Sequence, residues 1–190
     1  HPAFPAFSGE KVYKTTQILA AEMPTNKIAS FKTLNDGDAV TLSLAAEKAG
    51  TAIYIDWVGD NDVEQYLLGT TYSLFSATTK AGAEVGVYTY EPTEYVTVFS
   101  MTGAKLESFD GTGLEKASTI TVKEAGISSI TIPTENVREL ILDDNAFTEF
   151  SPAKYPNLVL LSMNHNSLSK IDLSQNKNLH VASLGYNQLS

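Results

Sequence analysis

Cysteine is absent from the 190 residues, so neither disulfides nor thiolate metal sites hold this chain together. That state is permitted in the cytosol and equally in many bacterial secreted proteins, so it leaves the compartment open. Histidine occurs three times, scattered at His1, His165 and His180, and no His-Glu-x-x-His, Gly-x-Ser-x-Gly or phosphate-loop pattern is present. The expectation is a protein that is not an enzyme and that carries no cofactor and no metal. Positive charge is in short supply, with 13 Lys and Arg against 22 Asp and Glu, a net charge of −9 and a pI near 4.7. Such a chain lacks the basic stripe that a phosphate backbone requires, which argues against a nucleic-acid partner. Long apolar runs are missing as well, none approaching the roughly 18 residues of a spanning helix, so no membrane span is expected in this segment.

What is present is a register. Asn145, Asn166 and Asn187 stand 21 residues apart, each closing the same frame of apolar positions. The frames are Val137-x-x-Leu140-x-Leu142-x-x-Asn145-x-Phe147, Leu158-x-x-Leu161-x-Met163-x-x-Asn166-x-Leu168 and Leu179-x-x-Ala182-x-Leu184-x-x-Asn187-x-Leu189. In each, a short strand points two side chains inward, and strands of successive coils pair in parallel about 4.8 Å apart. The Asn stands where the chain leaves the strand, where its amide can satisfy backbone groups that no ladder reaches. This column is read as scaffold, not as chemistry.

The frame continues upstream with Ala in place of Asn. Val96-x-x-Phe99-x-Met101-x-x-Ala104-x-Leu106 and Ala117-x-x-Ile120-x-Val122-x-x-Ala125-x-Ile127 keep every apolar slot. A later apolar residue in each coil, Phe109, Ile130, Phe150 and Ile171, closes the core from the return side. The step from Ala117 to Val137 is one residue short, and the deletion is placed on the outer turn around Pro133-Thr134-Glu135, leaving the ladder in register. With the tail Ile171-Asp172-Leu173-Ser174 and Asn178-Leu179, this half resembles the leucine-rich repeat proteins with a coil of about 21 residues. It looks like the secreted and surface-anchored repeat proteins of gut-dwelling Gram-negative bacteria of the Bacteroidetes type, and more distantly like internalin-type repeats. The resemblance implies a solenoid fold and a binding role in a secreted or outer-surface location, without naming a ligand.

The first half reads as short alternating runs over residues 28–33, 40–45, 52–57, 63–68, 72–77 and 85–90. Turn-forming separators part them, such as Asn35-Asp36-Gly37-Asp38 and Gly59-Asp60-Asn61-Asp62. Six or seven strands at this spacing suggest a small antiparallel sandwich. The run Ile53-Tyr54-Ile55-Asp56-Trp57-Val58-Gly59-Asp60 resembles the Asp-Trp-Gly-Asp-Gly turn of immunoglobulin-like domains of the polycystic-kidney-disease type, departing from it at Val58 and Asn61. The fold class expected is therefore mainly β: an antiparallel sandwich over residues 27–95, capping a solenoid of about five coils with a parallel sheet over residues 96–190. Residues 1–26 form an N-terminal extension, within which residues 12–23 read as either a strand or a short helix.

If a ligand is bound, the outward strand positions form the concave face that meets it. Asp144, His165 and Tyr186 fall in one column, an acid, an imidazole and a phenol, with Ser162 and Asn164 beside them. These five are the candidate binding residues. Asp143-Asp144 is read as a solvated rim rather than as a site. Asp56, Asp60 and Asp62 offer oxygen ligands of the kind calcium takes, but their spacing is not that of a calcium loop and they read as turn residues. The last coil, with Leu179, Ala182, Leu184 and Leu189, has no cap within the sequence, so a homodimer through that end is expected. The function expected is a binding or adhesion module recognising a protein or peptide. The alternatives are an accessory protein holding glycan for a polysaccharide-utilisation system, or a structural spacer.

Overall fold

The computed structural model of the protein describes residues 24–90 and 95–190. The residues read as either a strand or a short helix, 12–23, lie outside the described residues. The protein is mainly β, and its one helical element among the described residues is a 3-10 turn at Pro152–Lys154. No helix among them is long and apolar enough to cross a membrane.

Six strands form where alternation predicted them: β1 (Asn26–Thr33), β2 (Ala39–Ala46), β3 (Thr51–Asp56), β4 (Val63–Leu68), β5 (Ser73–Thr78) and β6 (Glu84–Thr89). The period of two is plain in β2, where Val40, Leu42 and Leu44 are buried while Thr41 and Ser43 are only half-buried. Then come β7 (Val96–Thr102), β8 (Leu106–Asp110), β9 (Thr119–Val122), β10 (Glu139–Ile141), β11 (Leu160–Ser162) and β12 (Val181–Ser183).

These strands make two sheets. One has five strands in the order β4-β3-β6-β1-β8, every pair antiparallel. The other has seven, in the order β12-β11-β10-β9-β7-β2-β5. Within it β5, β2 and β7 pair antiparallel, and β7, β9, β10, β11 and β12 pair in parallel as a solenoid-like stack of about four turns. The parallel register follows the repeat frame: Phe99 faces Ile120, Ile120 faces Leu140, Leu140 faces Leu161 and Leu161 faces Ala182. The short step before Val137 leaves the β9–β10 ladder unshifted, because its missing residue lies outside the strands.

β7 lies at the expected boundary between the two halves and belongs to both. Its one edge pairs antiparallel with β2, Leu44 opposite Phe99, and its other edge pairs parallel with β9. The chain leaving it crosses to the other sheet, where β8 pairs with β1. The return of the first coil is thus a strand of the five-stranded sheet, bridged at Asp110 to Thr131 of the next coil. Two glycines allow this junction. Gly103 has φ +105° and a Cβ there would stand 2.4 Å from Ala39 O, while one on Gly113 would stand 2.4 Å from Lys27 O. Phe31, Leu42, Ile53, Phe99, Ile120, Leu140 and Leu161 accordingly share one hydrophobic core.

Candidate functional site

The asparagine column is built backwards, each amide reaching the preceding coil. Asn166 is buried; its Nδ2 donates to Leu142 O (2.9 Å) and Met163 O (3.2 Å), and its Oδ1 accepts the Phe147 N–H (3.0 Å). Asn145 donates to Val122 O (2.8 Å) and Leu142 O (3.0 Å) and accepts from the N–H of Ala125 (3.1 Å) and Ile127 (3.3 Å). Asn187 repeats the pattern with Met163 O (2.8 Å), Leu184 O (2.9 Å) and the Leu168 N–H (3.0 Å). These bonds tie the strand exits together and occupy the amide N–H groups with backbone carbonyls.

A second ladder, not expected from the sequence, runs two residues earlier. Asp143 Oδ1 accepts from Ser162 Oγ (2.7 Å), Asn164 N (2.8 Å) and Asn164 Nδ2 (3.3 Å). Asn164 Oδ1 in turn accepts from Gly185 N (2.8 Å) and Ser183 Oγ (3.1 Å). The reading of Asp143 as a solvated rim is therefore corrected: it is half-buried and organises the neighbouring coil. Of the candidate binding residues, Ser162 and Asn164 belong to this network, which fixes their orientation on the outer face.

Asp144, His165 and Tyr186 occupy the next position in each coil. All three are exposed, and all three hold positive φ, at 57°, 53° and 57°, as does Glu124 at 57° one coil earlier. The left-handed turn aims their side chains away from the core, at a cost for residues other than glycine of order 1–3 kcal/mol each. The inter-coil bonds from Asp144 N to Asn164 O (2.9 Å) and from His165 N to Gly185 O (2.9 Å) hold that turn in place. His165 and Tyr186 meet, their rings stacked with centroids 4.2 Å apart and planes 8° apart. Tyr186 remains 80% exposed. Asp144 instead lines a recess of about 480 Å³ with Asn35, Asp38, Lys105 and Glu124. No glycine occupies these left-handed positions themselves, and Asp144 and His165 have neither glycine nor proline beside them, so residue type gave no sign of the column.

The outward face extends further than the coils alone. By register, Leu74, Ser43, Ser100, Thr121, Ile141, Ser162 and Ser183 form one row across all seven strands. Beside it runs a second row of Ala45, Val98, Thr119, Glu139, Leu160 and Val181. At about 4.8 Å per strand the face is roughly 29 Å wide. Hydroxyls that both donate and accept stand there among apolar side chains and the Glu139 carboxylate, with Ala45 and Thr121 buried.

The acidic turn after β3 has a structural occupation. Asp56 is 3% exposed, and its carboxylate accepts the N–H groups of Val58 (3.2 Å), Gly59 (2.7 Å), Asp60 (3.3 Å) and Asn61 (2.9 Å). Asp60 Oδ1 accepts the Asp62 N–H (3.0 Å). Asp56 is thus committed to its own loop, and the turn reading accounts for these residues without an ion. Next to it Trp57 Nε1 donates to the Tyr66 hydroxyl (3.0 Å), which donates to Glu64. Burial, then the Glu64 bond, raises the Tyr66 pKa well above the usual phenol range. No family model matches the chain, and no solved structure gives a significant match to it.

Proposed function

We propose that this chain is a non-catalytic binding module of a bacterial secreted or outer-surface protein, in which leucine-rich coils and an immunoglobulin-like sandwich present one recognition face to a protein or peptide. The observation that carries this reading is the uncovered His165–Tyr186 stack, standing at the rim of a sheet face whose polar groups are already oriented by Asp143 and Asn164. Exposed aromatic rings supply contact area at little entropic cost, and a preorganised polar surround lowers the cost of binding. The same stack favours glycan as the second reading, since a flat aromatic face beside fixed hydroxyls and amides also suits a sugar ring. In this account β2 covers the edge of the first coil, which is the place of a cap in repeat proteins.

Selection of displayed random peptides against the protein, with a glycan array in parallel, tests the reading. Recovered peptides are expected to lose binding to the triple variant Asp144→Ala, His165→Ala, Tyr186→Ala while its circular dichroism is unchanged. Glycan hits with the same dependence would move the ligand class to sugar. Equal binding to the triple variant contradicts the site, and failure to recover any ligand contradicts the module and favours a spacer. Self-association belongs to the same proposal, because Val181 and Leu189 of the last coil are 49% and 41% exposed. A strict monomer by light scattering at high concentration would contradict that part.

A further inference from the structure

Along the solenoid axis the rim of the sheet face changes its chemistry in a fixed order. Glu124, Asp144, His165 and Tyr186 hold the same exposed, left-handed position in successive coils, so they follow one another at one strand spacing and span about 14 Å. Two carboxylates are followed by two stacked rings. Backbone bonds from Glu124 N to Asp143 O (3.2 Å), from Asp144 N to Asn164 O (2.9 Å) and from His165 N to Gly185 O (2.9 Å) link these turns, so the order is held without any help from the side chains.

The acidic end is uncompensated. Among the described residues neither the Glu124 nor the Asp144 carboxylate takes a hydrogen bond or an ion pair, although both line the recess between the coils and the loop that joins β1 to β2. Asp38 lines the recess as well, its Oδ2 accepting from Asn35 Nδ2 (3.2 Å), and Lys105 is the one ammonium among the lining residues. One residue earlier in each coil, Lys123 and Asp143 offset each other in charge. The excess is negative. Carboxylates one strand apart repel, and a bound cation relieves that repulsion. The aromatic end then selects among cations, because a planar guanidinium lies flat on an exposed ring and still offers its five donors to carboxylates, whereas an ammonium is a hydrated point charge.

We propose that the partner of this face is a basic peptide read through arginine, with one guanidinium on the His165–Tyr186 stack and another on the Glu124 and Asp144 carboxylates at the recess. This names the ligand of the recognition face proposed above and rests on that reading. Fluorescence polarisation with labelled hexaarginine, against hexalysine and hexaglutamate, tests it on the whole chain. Hexaarginine is expected to bind saturably, hexalysine about 3-fold or more weakly, and hexaglutamate not at all. The double variant Glu124→Gln, Asp144→Asn is expected to weaken hexaarginine about 3- to 10-fold, and Tyr186→Ala about 2- to 5-fold. Glu107→Gln with Glu149→Gln removes the same charge away from the rim and should leave binding unchanged. Absence of hexaarginine binding, equal affinity for hexalysine, or an equal loss in the Glu107, Glu149 pair would each overturn the assignment. Selected peptides that need Asp144, His165 and Tyr186 yet carry no arginine would overturn it and leave the recognition face standing, whereas peptides indifferent to the triple variant would overturn both.

Discussion

Asn166 joins two coils with a single side chain, accepting one buried N–H and donating to carbonyls of its own strand and of the one before. Its replacement by Ala leaves those groups without partners and is expected to cost about 2–3 kcal/mol in urea melts. Asn187→Ala, in a half-buried position that water reaches, should cost less than half of that; equal losses would contradict a role set by burial. Asp56 acts at the same scale. Asp56→Asn keeps the shape but turns an amide donor toward N–H groups, and a loss of about 2–3 kcal/mol in the same melts is expected. Tyr66, Tyr88 and Tyr155 share a third residue-scale effect, since desolvation raises the pKa of all three. A raised folded-state pKa gives stability that is complete below the unfolded value, about 10, and is lost as pH climbs through the folded value. Urea midpoints should therefore fall above about pH 10, and by less in Tyr66→Phe; a flat alkaline profile would contradict the burial.

At the scale of elements, the coils were legible because a solenoid writes its core into the sequence at a fixed period. Every apolar slot of the first four frames, from Val96 to Leu168, is buried, and so are Ala104 and Ala125 where the asparagine is missing. The six earlier strands were legible from alternation and turn residues. The partner of β7 was not. Ladder bonds are made by backbone groups common to all residues, so nothing in Val96–Thr102 announces that one edge takes β9 and the other takes β2. The Asp143 ladder and the left-handed column were equally hidden, since Glu124, Asp144, His165 and Tyr186 have no residue type in common. The column Asp144-His165-Tyr186 was legible as an alignment, but not that two of its rings would stack. Gly103 is the element-scale test of the junction: with φ +105° and Ala39 O only 2.4 Å from a Cβ, Gly103→Ala should cost about 3 kcal/mol or more. A neutral Gly103→Ala in thermal or urea melts would mean that β2 and β7 are not held as described.

For the whole molecule, the shared strand turns two differently built halves into one body with one core and one long face. The central claim is that the antiparallel strands and the first coils fold as one cooperative unit through β7. The most direct test is denaturant-dependent amide hydrogen exchange, read separately on β2, β7 and β9. The account predicts that the protected amides of all three open with the same free energy and denaturant slope, while β12 exchanges earlier by fraying. Distinct opening free energies for β2 and β9, with β7 following only one of them, would contradict it.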